Sequence, residues 1–320
     1  MTNTLTIRPC TPKELKEYFH QWTISEGWNP IKYNAELTRL SYLMYPQGFL
    51  VGTVPVTDQE KVITIIAGFR HSNSSGFIGY YVTDPEFRGK GYGYPLFKKA
   101  LNSMQDCKYV GLYAMPVMAD KYRSAGFDIT SWDIERYRSG SLESFLEQFS
   151  QVPTPLEPYV VDISEAPIDQ LVSLDEKYNG VPRPTFMQKW IKSHIEGSKE
   201  GLFGVALVKD GQVLGYGCAR PSEESFRIGP LYAHTAEQAK EILKGLASKA
   251  VEVFPTLNSP DRKPSGCLLD LDTCTENKDA MDMIKYFQWT PVFRAIRMWR
   301  TNQPPENTNG LYGVTSIEIG

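Results

Sequence analysis

The sequence predicts a mixed α/β (α+β) protein of two tandem domains, each a central mixed, mostly antiparallel sheet flanked by helices. Three observations carry this. The chain has 320 residues, more than one core of ordinary size holds. A similar order of strand-like and helix-like patterns runs on both sides of Gln151 to Pro158, which holds three prolines in eight residues. Finally, Tyr122, Gly126, Phe127, Ile134 and Arg138 map onto Ile284, Gln288, Trp289, Ile296 and Arg300 at a constant offset of 162, as an old duplication would leave them. The expected organisation is a first domain over 1–150, a stiff linker over 151–158, a second domain over 159–302 and a loose polar tail over 303–320.

The elements follow in order. "TLTIRP" reads as a strand closed by Pro9, and "TPKELKEYFHQWTISEGW" opens like a helix, with Thr11 as cap, Pro12 first and Glu14 three after the cap. "GFLVGTVPV", "KVITIIAGFRH" and "GFIGYYVT" are β-rich runs, and Leu96 to Met104 has helical spacing. "YVGLYA", "VMADKYRSAGF" and "DIERYR" give strand, short helix and strand. Past the prolines come a strand "YVVDIS", a helix "PIDQLVSLDEKY" and a hairpin turning at Asp210-Gly211. Then follow a strand "SFRIGPLYA", a long helix from Thr235, a strand "GCLLDLD", a helix "NKDAMDMIKYFQW" and a strand "RAIRMWR".

Composition excludes several classes. Hydrophobic residues make up 41% and charged residues 22%, with net charge −3, so no global field favours nucleic acid or an anionic membrane. No apolar run approaches the ~20 residues that span a bilayer, and the N-terminus lacks a secretory pattern. Five cysteines are scattered without CxxC spacing, and four histidines lie far apart. No metal is expected, and reduced thiols point to a cytoplasmic protein.

"VTDPEFRGKGYG", between a strand and a helix, is the informative stretch. It is not a P-loop, because no Gly-Lys pair is followed by Ser or Thr at that spacing. It is not a dinucleotide fingerprint either: GxGxxG fails at Tyr94 from Gly89 and at Leu96 from Gly91. What remains is Arg88-x-x-Gly91-x-Gly93, with Gly89 and Lys90 between. Backbone amides can converge there at a helix N-terminus and hold a pyrophosphate, where a plain tight turn would need fewer glycines.

With "YRSAGF", this stretch resembles motif A of the GNAT superfamily of N-acetyltransferases, whose Arg/Gln-x-x-Gly-x-Gly/Ala loop cradles the pyrophosphate of coenzyme A. "EGWNP", "YPQGFLVG" and "RMWR" resemble the YitH-type tandem members, and the resemblance reaches residue 302. It implies two GNAT-like domains and acetyl-CoA as co-substrate. Tyr81, Val82 and Thr83 would hold the pantetheine arm, and Arg88, Gly89, Lys90, Gly91, Tyr92 and Gly93 the pyrophosphate. Tyr122, four before Gly126, would protonate the leaving thiolate. Val82 is expected to offer the backbone N–H that steadies the oxyanion.

The departures are equally specific. Met115 stands where many members carry asparagine, and "GFIGYYV" has no carboxylate base, leaving Glu26, Asp84 and Glu86 as the nearest acids. The second half lacks the glycine loop, with "HTAEQA" after "IGPLYA"; Ile284 replaces the tyrosine, and Asn277 fills the asparagine position. One active site, in the first domain, is therefore expected. The acceptor site is placed at Glu26, Trp28 and Tyr80. No basic stripe suits nucleic acid, so the expected partner is a small amine or amino-acid-like metabolite, with a protein amine and longer acyl chains left open. A non-catalytic CoA-binding sensor is the rival reading.

Overall fold

The computed structural model describes residues 4–31, 36–57, 59–149, 159–257 and 267–320. The 151–158 linker lies outside them. The first half runs β1 (Thr6–Pro9), α1 (Pro12–Glu14), a π-helical stretch (Leu15–His20), α2 (Gln21–Ser25) and α3 (Glu36–Met44), then β2 (Phe49–Val56), β3 (Gln59–Arg70) and β4 (Ser75–Thr83). It continues with α4 (Gly93–Asn102), β5 (Tyr109–Ala114), α5 (Ala119–Ser124), β6 (Ile129–Arg138) and α6 (Leu142–Glu147). The first helix starts as its sequence requires. Thr11 Oγ1 accepts from the Glu14 amide at 3.3 Å, and the Glu14 carboxylate accepts from the Thr11 amide at 2.8 Å, a reciprocal cap.

The second half runs β7 (Tyr159–Asp162), α7 (Ile168–Asn179), α8 (Pro184–Glu196), β8 (Phe203–Lys209), β9 (Gln212–Pro221) and β10 (Phe226–Ala233). Then come α9 (Ala236–Val253), β11 (Leu269–Cys274), α10 (Lys278–Tyr286), β12 (Thr290–Arg300) and β13 (Leu311–Gly313). The duplicated register survives in the backbone: Gly126 and Gln288 both end their helices at positive φ, +93° and +56°.

The two sheets are one. The strand order is β1-β2-β3-β4-β5-β12-β6-β11-β10-β9-β8-β7, mostly antiparallel, with β4–β5 and β10–β11 parallel. The halves have exchanged their last strands. β12 pairs with β5 of the first half, β6 pairs with β11 of the second, and β6 and β12 pair with each other at the centre. Sequence boundaries at 150 and 159 therefore do not divide the sheet into two independent units, as separate tandem domains would.

Residues 303–320 are no loose tail. Leu311, Tyr312, Val314, Ile317 and Ile319 are buried, and their apolar surface is the reason the segment docks. β13 pairs with β10, and Val314 N–H donates to the Asp272 carbonyl of β11 at 3.0 Å. The strand thus fills the gap where β10 and β11 diverge. The chain then crosses to the first half, where His71 Nε2 bonds the Ile319 carbonyl at 2.8 Å and His71 Nδ1 bonds Tyr45 Oη at 3.1 Å. Gly79 has no room for a side chain because the Glu318 carbonyl lies 1.9 Å from where its Cβ would be.

His71 is half-buried and His194 buried, both neutral, their pKa values pushed down to about 3 by desolvation first, with Arg183 and Arg220 respectively adding repulsion. An unfolded chain binds protons at histidine near pH ~6.5, so this contribution to stability is whole above that value and drains away as pH falls toward 3. The midpoint temperature should begin to fall near pH ~6.5, before carboxylates titrate. His71→Asn should lower it at pH 8 yet flatten its decline between about pH 7 and 5, as calorimetric scans would show.

Candidate active site

β4 and β5 pair in parallel from Ser75↔Tyr109 to Ile78↔Leu112, and there the ladder stops. Beyond it the register against β3 shifts between Ile65 and Ala67, opposite Tyr80, which takes φ +53°. The bulge lets β4 leave β5, and a cavity of about 730 Å³ opens between them. Asp84 N–H donates to the Ile63 carbonyl at 2.9 Å, in register with Ile65↔Val82. Antiparallel alternation then turns the Val82 amide toward β3 and the amides of Tyr81 and Thr83 toward the opening. The expected oxyanion donor, Val82, is thus committed to the ladder, and its neighbours are the ones positioned to bond a ligand.

At the cavity's mouth the glycines divide their work. Gly89 and Gly91 sit at φ +75° and +84° with open space above them, so they are there for backbone shape. Gly93 is there for contact: a Cβ would lie 2.4 Å from Tyr81 Oη. α4 starts at Gly93, and its cap residue Tyr92 makes no side-chain cap bond, so the first-turn amides face the loop without an internal acceptor. This donor cradle suits a pyrophosphate by shape and by helix dipole. Arg88 holds the loop: Nε donates to the Thr83 carbonyl at 2.8 Å, and the guanidinium pairs with Glu26.

Tyr122 reaches the cavity from α5, packed on Phe97 at 5.7 Å and Phe127 at 6.4 Å between ring centroids. Tyr81 also packs on Phe97, tilted, at 5.6 Å. Burial, and then the proximity of Tyr81, raises the Tyr122 phenol well above its ordinary value, while burial pushes Tyr81 up to about 12. Both phenols are protonated at neutral pH, the state a proton donor needs.

The cavity draws on both halves. Trp28, Tyr80 and Tyr113 line it from the first, and Phe293, Ile317 and Glu318 from the second. Asn29 clamps the Trp28 loop to the second half, donating to Asp270 at 2.8 Å and Ser225 at 3.0 Å. Arg136 donates to the Trp28 carbonyl at 2.6 Å and lies 5.4 Å from the Phe293 ring. Arg136 also pairs with Asp272 at 2.7 Å, Asp272 with Arg227 at 2.8 Å, and Arg227 with Glu318 at 2.6 Å, all of them buried. Burial alone would raise both carboxyls. Arg136 and Arg227 outweigh it at Asp272, and Arg227 leads the groups that outweigh it at Glu318, so both remain ionised.

Of the residues singled out by sequence, Glu26, Trp28, Tyr80, Tyr81, Val82, Thr83, Arg88, Gly89, Gly91, Tyr92, Gly93 and Tyr122 all line this cavity. Lys90 does not: its ammonium donates to the Glu86 carbonyl at 2.7 Å and lies over Phe87. Asp84 and Glu86 are tied to Lys61, each at 3.2 Å. Asn277 caps α10 and holds the Leu311 carbonyl at 3.0 Å, a structural post. Sequence reasoning missed Glu318, Phe293 and Ile317; the apolar pattern of "LYGVTSIEI" was the available signal. Among the described residues no three His, Cys, Asp or Glu side chains gather as a metal site, and no helix is long and apolar enough to cross a membrane.

A strand splay, an amide cradle and a protonated phenol define an acyltransferase of the GNAT class. Residues 9–127 match the acetyltransferase (GNAT) family and residues 171–313 an acetyltransferase (GNAT) domain. The chain belongs to the GNAT acetyltransferases, with two such domains in tandem. It is 24% identical over 317 residues to the holothin acyltransferase of Pseudoalteromonas sp. (strain SANK 73390), covering 99% of this chain and 95% of that one. It is 22% identical over 171 residues to the uncharacterized N-acetyltransferase YitH of Bacillus subtilis (strain 168), covering 53% and 56%. A putative acetyltransferase from Pyrococcus horikoshii shares the fold, with TM-score 0.72 at 18% identity over 99% and 96% of the two chains.

Breaking a buried ion chain strands the partner charge. Asp272→Ala should destabilise the protein by about 3–5 kcal/mol in urea unfolding. Arg123→Ala, which removes an exposed pair with Asp120, should change it by less than about 1 kcal/mol.

Proposed function

We propose that the protein transfers an acetyl group from acetyl-CoA to a primary amine of a small molecule. The observation that carries this is a single cavity lined by the Gly89–Gly93 cradle, by Tyr122 and by residues of both halves. The cradle amides take the pyrophosphate, and the outward amides of Tyr81 and Thr83 take the pantetheine arm. The amine attacks the thioester carbonyl and forms the C–N bond, the C–S bond breaks, Tyr122 gives its phenolic proton to the departing sulfur, and the nitrogen sheds a proton to solvent, from which Tyr122 is reprotonated. The cavity holds acceptor and donor together, so the transfer is direct. The second half contributes walls, and among the described residues β13 occupies the gap that corresponds to the donor cleft.

Calorimetry with acetyl-CoA tests the donor site. Binding should be lost in Gly91→Glu, which forces a side chain onto a φ of +84°, and kept in Gly140→Glu, which has open space. Failure of the native protein to bind acetyl-CoA would overturn the reading. Tyr122→Phe should leave acetyl-CoA affinity intact and lower kcat by about 100-fold or more, read in a thiol-release assay. An unchanged kcat would remove Tyr122 from the chemistry.

A further inference from the structure

Two cations stand at the donor cradle, and both are bonded to the protein's own oxygens. Arg88 gives Nε to the Thr83 carbonyl and Nη2 to Glu26, and Lys90 gives its ammonium to the Glu86 carbonyl. The loop and first-turn amides are left to hold a pyrophosphate largely by backbone. A side-chain donor beside them would add a bond of the stronger, charge-assisted kind.

Tyr81 carries such a donor. Its ring leaves β4 on the side of α4 and packs on Phe97 at 5.6 Å. Its hydroxyl ends beside Gly93, the first residue of α4: a Cβ on that glycine would lie 2.4 Å from Tyr81 Oη and 3.1 Å from Cζ. Thr83 Oγ1 lies 3.0 Å from the same point, but its bond is with Thr64 Oγ1, at 3.0 Å. Among the described residues Tyr81 Oη has no hydrogen-bond partner, yet it is not sealed from solvent as the unpartnered hydroxyls of Tyr216 and Tyr312 are. An open, unpartnered hydroxyl on a residue that lines the cavity is available to a ligand there. Burial keeps the phenol protonated, so it has a proton to donate.

Resting on the donor site proposed above, we infer that the Tyr81 hydroxyl hydrogen-bonds a phosphate oxygen of the acyl donor, beside the amides that open α4. A phosphate seated on those amides is within reach of a group that touches Gly93. The same contact gives Gly93 its reason, since any side chain there would displace the hydroxyl. Tyr81 is thus a binding residue, and proton transfer to sulfur stays with Tyr122. Its bond is made to the nucleotide end of the donor. The consequence is selectivity: Tyr81 favours a thioester that carries a pyrophosphate over one that ends at pantetheine.

The test is calorimetry on the full chain with three probes. Acetyl-CoA is titrated directly, and ADP and S-acetylpantetheine are measured by competition with it. ADP has the pyrophosphate without the arm, and S-acetylpantetheine has the arm without the pyrophosphate. Tyr81→Phe keeps the ring on Phe97 and removes only the oxygen. It should weaken acetyl-CoA and ADP by a common factor of about 10- to 100-fold, which is what a hydrogen bond to a charged group is worth. S-acetylpantetheine should bind the variant as it binds the native protein. Gly93→Ala, which crowds the hydroxyl without removing it, should give the same selective loss. Native affinity for acetyl-CoA in Tyr81→Phe overturns the inference. So does a loss shared equally by all three probes, which would report damage to the cleft. A loss for S-acetylpantetheine with ADP unchanged places the hydroxyl on the arm and overturns it too. Each of these results leaves the donor site standing, whereas failure of the native protein to bind acetyl-CoA overturns both.

Discussion

The chain of buried charges Arg136–Asp272–Arg227–Glu318 is the constraint on which the rest of the molecule turns. Its members come from β6, β11, β10 and the C-terminal segment. Taking four charges out of water costs several kcal/mol each, so the arrangement persists only where geometry is good and remaining donors find acceptors. Both conditions hold at Arg136. Arg136 meets both Asp272 oxygens, at 2.7 and 3.1 Å, and sends its third donor to the Trp28 carbonyl. Arg136 belongs to the first half by sequence and Asp272 to the second. They meet because β6 lies beside β11, with Arg136 in register with Asp272. Strand exchange and ion chain therefore require each other.

The same constraint explains why two similar halves do different work. Each half has a parallel strand pair that diverges after three or four residues. In the first half the divergence is lined by glycines at positive φ and by a helix whose first amides lack a side-chain cap. In the second, Thr235 caps α9, accepting from the Gln238 amide at 3.3 Å, and β13 lies in the gap. Gly313 of β13 packs so tightly on Leu271 that a Cβ would come within 2.4 Å of it. One gap is open to a ligand, and the other is closed by the chain's own backbone.

What was legible in the sequence was local. The reciprocal cap at Thr11 and Glu14, the glycine loop and the tyrosine four residues before Gly126 each depend on chemistry within a few positions, and the loop and the tyrosine do line one cavity. The exchange of β6 and β12 was not legible. Alternation of apolar residues says which face of a strand is buried, never which strand lies beside it. The amide direction of Val82 depends on a bulge at a tyrosine, where positive φ leaves no sequence mark of the kind glycine gives. Residues 303–320 read as a tail because "NQPPEN" is polar and turn-rich, and the apolar positions after it are too few to signal an element without the groove that receives them.

The C-terminal segment joins these threads. It closes the second half's gap as β13, passes Asp272 and places Glu318 against Gly79 of β4. The residues that shut one cleft thereby complete the other. Gly79 and Tyr80 form the bulge side of the cavity, and their position is set by a backbone that approaches too closely for any side chain at Gly79. The first half has the whole amide cradle but lacks its own last strand and the walls Phe293, Ile317 and Glu318. Separating the chain between Phe149 and Tyr159 would thus separate no domain. Each piece would keep a sheet edge made for the other's final strand, and Arg136 would lose the partner that offsets its burial. The exchange of β6 and β12 joins the two folds into one sheet.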